Sequence, residues 1–191
     1  MYLKKIISSG FKSFADKVTI TLEKNHITGI VGPNGSGKSN VIDSVRWVMG
    51  EQNAKMLRGE KATDIIFAGS EKRKPLGLAE VTLVFDNGEA SAVCPPEFRS
   101  EPEIALTRRL YMDGQREYFI NKKPCRLKDI VNFFTSTGLG GRSYSMIQQG
   151  QVDRILQAKP EQQEKSSKKL QVHSSSRNEK MKLKKSYKIR V

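Results

Sequence analysis

No apolar run in the 191-residue chain exceeds a few residues, far short of the ~20 that a membrane-spanning helix needs. No membrane partner is expected. Met1 to Gly10 offers two lysines, the short apolar pair Ile6–Ile7 and no small-residue cleavage pattern, so it does not read as a secretion signal. A cytoplasmic location is expected. Cysteine is scarce too: Cys94 and Cys125 are the only two and lack metal-site spacing. A disulfide between them is not expected in a reducing compartment, and both read as small buried hydrophobes. Acids are outnumbered, which leaves a net charge of +14 and suggests a polyanionic partner. Residues 161–191 hold ten Lys/Arg against three Asp/Glu, so half of that excess lies in the tail. Any nucleic-acid argument must rest on residues 1–160.

Those first 160 residues read as alternating elements. Strands are expected at Tyr2–Ile7, across the alternation of Val18, Ile20 and Leu22 with Thr19, Thr21 and Glu23, and at Ile27–Val31. From Lys38 the period becomes helical, with Val41, Ile42, Val45, Val48 and Met49 on one face and Gly50 at the C-terminal end. Glu80–Phe85 reads as a strand closed by Asp86-Asn87-Gly88, and Ile104–Tyr111 with Glu117–Ile120 as a hairpin around Asp113-Gly114. A short helix is predicted over Leu127–Phe134, with Ile130, Val131 and Phe134 sharing a face. Thr137–Gly141 reads as a glycine-rich break, Tyr144–Gln148 as a strand and Val152–Leu156 as a helical turn. After Pro160 the sequence is polar and lysine-rich, with too little apolar surface to offset its ordering entropy.

Gly32-Pro33-Asn34-Gly35-Ser36-Gly37-Lys38-Ser39 fits G-x-x-x-x-G-K-[ST]. Backbone N–H groups can converge on phosphate oxygens only where a Cβ does not block approach or where φ is positive, which Gly35 and Gly37 allow. Lys38 can reach the β- and γ-phosphates as a point charge, and the Ser39 hydroxyl can ligate Mg²⁺. The helix starting there adds its positive dipole end. A chance match occurs in roughly one chain of this length in two hundred. The strand–loop–helix context makes a nucleotide site the better reading, with ATP and Mg²⁺ as cofactors.

The surroundings narrow the class. "GFKSFADKVTI", "GPNGSGKSNVIDSVRWVMGEQ", "LRGEKATDIIFAGS", "AEVTLVFDN", "INKKPCRLKDI" and "YSMIQQGQVDRIL" occur in that order. Together they resemble the N-terminal half of the ATPase head of bacterial SMC (structural maintenance of chromosomes) proteins, over nearly all of residues 1–160. The resemblance implies an α/β fold: the N-terminal lobe of an ABC-type P-loop ATPase head, a mixed sheet with an antiparallel portion, incomplete without its C-terminal half. It implies that Gln149 is the Q-loop glutamine that ligates Mg²⁺, with Gln148 as the alternative, since a carboxamide oxygen binds a hard cation without adding charge. It implies that Arg58, in "MLRGEK", approaches the nucleotide phosphates, where a guanidinium can donate two parallel bonds. Lys12 and Ser13, in "GFKSF", lie where the family's N-terminal hairpin passes the nucleotide, although Phe11 and Phe14 read first as core. Lys61, Lys122, Lys123, Arg126 and Lys128 lie in segments resembling the DNA-facing surface, where phosphate contacts need flexible cations; scattered solvated lysines are the plain alternative. The implied partners are a C-terminal SMC head half, a second head joined through ATP, non-specific DNA and a kleisin-type subunit. The implied roles are chromosome condensation and partition at the nucleoid.

An ABC-type ATPase also needs an apolar strand ending in Asp-Glu and a signature loop of the Ser-Gly-Gly type. No apolar run of four or more ends in two adjacent acids, and "TGLGGRS" lacks the signature order. The chain alone is therefore expected to bind ATP without hydrolysing it. A stand-alone nucleotide-responsive DNA-binding module and a recombination-repair ATPase head are the alternatives. SMC sequences continue past this region with a helix resembling "IEEAAGTSxFKERK". Suitable synonymous codons for Ser166–Lys180, regrouped by one base, give Ile-Glu-Glu-Ala-Ala-Gly-Thr and then Phe-Lys-Glu-Arg-Lys. A frameshift near Gln163–Lys165 is the resulting expectation, and the gene's other reading frame past codon 165 checks it. The tail would then never have been selected as a DNA-binding arm.

Overall fold

In the computed structural model, residues 1–88 and 94–137 are described, and they lie within one compact unit. The expectations at Gly138–Gly141, Tyr144–Gln148, Gln149, Val152–Leu156 and the 161–191 tail fall outside the described residues.

Strands β1 (Tyr2–Ser9), β2 (Val18–Thr21), β3 (Leu78–Asp86), β4 (Glu103–Tyr111), β5 (Arg116–Ile120) and β6 (Lys123–Pro124) form one sheet in the order β2-β1-β3-β4-β5-β6. Period-two alternation gives the sheet its two faces. Ile6, Val81, Leu83, Phe85, Ile104, Leu106 and Leu110 point into the core. Glu80, Thr82, Thr107, Arg109 and Glu117 lie on the opposite face. There the Thr82 and Thr107 hydroxyls bond at 2.8 Å, and Arg109 pairs with Glu80 and Glu117. The predicted hairpin around Asp113-Gly114 forms, with Gly114 at φ +88° and the Asp113 carboxylate accepting from the Gln115 N–H at 2.8 Å.

Among the described residues two α-helices cover the core face: α1 (Lys38–Val48) and α2 (Leu127–Thr137). Between α1 and β3, short 3-10 turns span Ala54–Leu57 and Ala62–Ile65. Phe133 and Phe134 of α2 pack against Phe85 with ring centroids 6.1 and 5.8 Å apart, and Phe98 closes on Phe133 at 5.9 Å. Such tilted pairs add to their burial the attraction of ring edge to ring face. No helix among the described residues is long and apolar enough to cross a membrane.

Four expectations need correction. Ile27–Val31 is not a strand; it has no ladder partner among the described residues, and Ile27 and Val31 are almost fully exposed. An apolar run becomes a strand only where another strand satisfies its backbone groups. Every strand pairing among the described residues is antiparallel, the antiparallel portion of the expected fold. The buried face of α1 is Val41, Asp43, Ser44, Trp47 and Val48, with Ile42 exposed, a rotation of about 100° from the apolar stripe. The paired carboxylate of Asp43 and the Trp47 ring against Phe11 occupy the inward side instead. In α2 the inward face is Ile130, Phe133 and Phe134, and Val131 is exposed. Both cysteines are free thiols; Cys94 is buried as expected, but Cys125 is only half-buried.

Candidate functional site: the phosphate loop and its flanks

Residues 32–37 lead into α1, and two left-handed glycines, Gly35 at φ +83° and Gly37 at φ +90°, bend the chain there. A Cβ on Gly37 would come within 2.7 Å of Ser13 Oγ, so this turn needs glycine for space as well as for conformation. Gly37 caps α1 without a side-chain bond, and the first turn carries no acid. The helix dipole and free N–H groups therefore meet no competing carboxylate in the first turn of their own helix. The Lys38 ammonium folds back on the loop, donating to the carbonyls of Gly32 at 2.6 Å and Pro33 at 2.7 Å. Ser39 is exposed in the first turn of α1. Among the described residues no cluster of His, Cys, Asp and Glu could hold a metal by itself. The fit is to a phosphate chain whose own oxygens bring most of the Mg²⁺ coordination, with Ser39 adding a hydroxyl.

The flanking segments are brought to α1 by residues the sequence reading missed. Arg58 donates from Nε at 3.0 Å and from Nη2 at 2.5 Å to Asp43 Oδ2, and from Nη2 to Asn40 Oδ1 at 2.9 Å. Lys12 Nζ donates to the same Asp43 oxygen and to the Leu57 carbonyl. Asn40 Nδ2 donates to Ser13 Oγ at 2.8 Å. Lys12, Ser13 and Arg58, each expected near the nucleotide, are linked to one another through Asn40 and Asp43. The main chain supports the arrangement: Lys12 N–H donates to the Ile65 carbonyl at 2.7 Å, and Phe67 N–H to the Gly10 carbonyl at 2.8 Å. Burial pushes the Lys12 ammonium below its ordinary pKa, and Asp43 opposes that shift.

Asp43 left a weak sequence signal, an acid inside the apolar stretch Val41–Val45, but its partners lie 31 and 15 residues away. Arg108 was missed entirely. It occupies an inward position of β4, is buried, and its Nη1 donates to the carbonyls of Trp47 at 2.5 Å and Glu51 at 2.8 Å. Its guanidinium lies 4.8 Å from the centroid of the Trp47 ring and 5.4 Å from that of Tyr118. Burial lowers its pKa to about 10. Arg108 therefore fastens the C-terminal end of α1 to the sheet while the other end of the helix carries the loop.

The candidate DNA-facing cations are exposed but divide into two places. Lys61 precedes the Ala62–Ile65 turn, whose Asp64 accepts from the Lys61 N–H at 2.7 Å. Asn121 and Lys122, both left-handed, form the tight turn into β6 at the sheet edge, Lys123 begins that strand, and Arg126 and Lys128 flank the start of α2.

The sequence profile of the RecF/RecN/SMC N terminal domain matches residues 2–145. The "Chromosome partition protein Smc" of Lactiplantibacillus plantarum is 52% identical over 162 residues, covering 85% of this chain and 13% of that protein. The chain thus spans about an eighth of the length of the curated relatives it matches. A solved structure from work on ATP-driven dimerization and DNA-stimulated activation of SMC ATPases superposes with a TM-score of 0.81 at 31% identity, covering 89% of this chain and 99% of its own. An SMC head bound to the C-winged helix domain of ScpA gives 0.75 at 34% identity, with 84% of this chain and 48% of that one covered. With the phosphate loop, its flanks and the antiparallel sheet all of this kind, the chain belongs to the RecF/RecN/SMC N terminal domain family and corresponds to the N-terminal lobe of an SMC ABC-type ATPase head.

Proposed function

We propose that this chain is the nucleotide-binding N-terminal segment of a chromosome-partition SMC ATPase. Residues 1–160 form the head segment, and residues 161–191 are a separate basic tail. The observation that carries the reading is the loop itself: left-handed Gly35 and Gly37, with Lys38 turned onto the Gly32 and Pro33 carbonyls at the start of an acid-free helix turn. In this role Gly32–Ser39 wrap the ATP phosphates, Arg58 donates to them, and Ser39 and Gln149 complete the Mg²⁺ shell. Lys61, Lys122, Lys123, Arg126 and Lys128 offer DNA phosphates a sequence-independent cationic surface.

Hydrolysis needs a C-terminal head half to supply the water-activating acid and the signature loop. Near-complete exposure of Ile27 and Val31 supports this, because a complete head would cover such a run with further strands. A second head joined through ATP and a kleisin-type subunit follow by analogy with the relatives, whose structures concern ATP-driven dimerization and binding to ScpA. Association with the nucleoid follows from the chromosome-partition role of the relatives. The test is calorimetry of the purified chain with Mg·ATP, then ATPase after co-expression with a C-terminal SMC head half. The expected results are binding lost in Lys38→Ala, no turnover by the chain alone, and Lys38-dependent turnover in the co-expressed pair. Turnover by the chain alone that disappears in Lys38→Ala would overturn the reading.

A further inference from the structure

One buried carboxylate facing two cations is an unbalanced arrangement, and the imbalance has a direction. The Asp43 side chain is 6% exposed and that of Lys12 11%, whereas that of Arg58 is 52% exposed. We propose that Asp43 is a positioning residue whose two cations differ in role: Lys12 is its resident counter-ion, and Arg58 is the exchangeable one, held beside the phosphate loop until a nucleotide phosphate takes it over. This inference rests on the reading of residues 32–39 as an ATP site.

A carboxylate buried without a counter-ion is strongly unfavourable, so an arginine that were the sole partner of Asp43 could not leave. Here Lys12 remains when Arg58 departs, and the buried pair stays neutral. Lys12 is itself fixed. Its Nζ also donates to the Leu57 carbonyl, its backbone N–H to Ile65, and its main chain is left-handed at φ 51°. Arg58 has the opposite character. Its main chain is set by its left-handed φ of 58° as cap of the Ala54–Leu57 turn, while its half-exposed side chain lies along the flank of α1. The guanidinium contacts Asp43 and, one turn nearer the loop, Asn40, so its existing partners already point it toward the helix N-terminus. Asn40 also holds Ser13, which ties the third flanking residue to the same track. Arg58 is among the groups that push the Lys12 pKa down, so its departure strengthens the pair it leaves behind.

The experiment measures Mg·ATP affinity of the full chain by calorimetry for Arg58→Ala, Asp43→Asn, their combination and Lys38→Ala. Arg58→Ala is expected to weaken binding about tenfold, the scale of one hydrogen-bonding charge on a phosphate. Asp43→Asn, which removes the contact that Arg58 gives up on binding, is expected to tighten binding a few-fold, and to change nothing in the Arg58→Ala background. Because Asp43→Asn strands the Lys12 ammonium and can fail to fold, Lys12→Met with Asp43→Asn removes both buried charges; in that background, too, Arg58→Ala is expected to cost more than the tenfold it costs in the parent. The inference is overturned if Arg58→Ala costs the same tenfold in both neutralised backgrounds, or if Asp43→Asn binds Mg·ATP no tighter than the parent. Should the parent chain bind no Mg·ATP, or Lys38→Ala bind as well as the parent, the ATP-site reading falls and takes this inference with it. Lys38-dependent binding with additive effects at Asp43 and Arg58 removes this inference alone.

Discussion

Arg108 on β4 lies with its guanidinium 4.8 Å from the centroid of the Trp47 ring and donates to the Trp47 carbonyl at 2.5 Å. One side chain thus satisfies the last turn of the helix that begins at the phosphate loop and also fills the space beneath its only tryptophan. Arg108→Ala leaves the carbonyls of Trp47 and Glu51 without this donor and opens a cavity beside the ring. A loss of about 2–4 kcal/mol is expected in urea unfolding. Arg108→Met, which keeps the volume, is expected to lose less.

The two left-handed glycines of the loop separate conformational strain from crowding. A Cβ on Gly35 meets nothing within 4 Å, whereas on Gly37 it meets Ser13 Oγ at 2.7 Å and the Phe14 ring at 3.3 Å. Gly35→Ala should cost about 1 kcal/mol of stability from its backbone alone. Gly37→Ala should cost more and should also abolish Mg·ATP binding, because Ser13 and the segment around it must shift. Thermal melts and calorimetry of the two variants side by side check the order.

The cysteines offer a pH-dependent readout. Burial raises the Cys125 thiol from its ordinary 9.0 to about 11, with Asp129 adding to the shift, and burial also raises Cys94. A raised thiol pKa means less thiolate at any given pH. At pH 8 alkylation of Cys125 by iodoacetamide should therefore run about a hundredfold slower than that of a free thiol. Its rate should still be climbing at pH 10, where an unperturbed cysteine levels off. Mass spectrometry of the two cysteine peptides across pH 7–10 gives the curve, and addition of urea should bring both thiols back to ordinary reactivity.

Ile27 and Val31 are the most exposed large apolar side chains among the described residues. Replacing both by threonine should keep the fold and reduce aggregation of the isolated chain, because no described contact is lost. In co-expression with a C-terminal SMC head half, the same change should lower the amount of complex recovered. Recovery at the parent level would show that this run is not where the second half pairs.

The local signals that proved legible were those contained in a few neighbouring residues. Glu80–Phe85 reads as a strand and lies within the observed Leu78–Asp86, Asp113-Gly114 carries turn chemistry and is a turn, and Gly35 and Gly37 fall where a phosphate loop needs positive φ. The sequence by itself determined these because each depends on backbone preference or on period. The expectation that Lys12, Ser13 and Arg58 lie near the nucleotide came through family resemblance and not through any spacing. Tertiary structure decided the rest. Whether Ile27–Val31 is a strand depends on a neighbour to accept its hydrogen bonds, and none stands beside it among the described residues. Which side of α1 turns inward was decided by Asp43 finding Lys12 and Arg58, and by Trp47 finding Phe11 and Arg108. An ion pair closes only when distant segments meet, so its energy is invisible to helical period, and here it outweighed the apolar stripe that placed Ile42 inside.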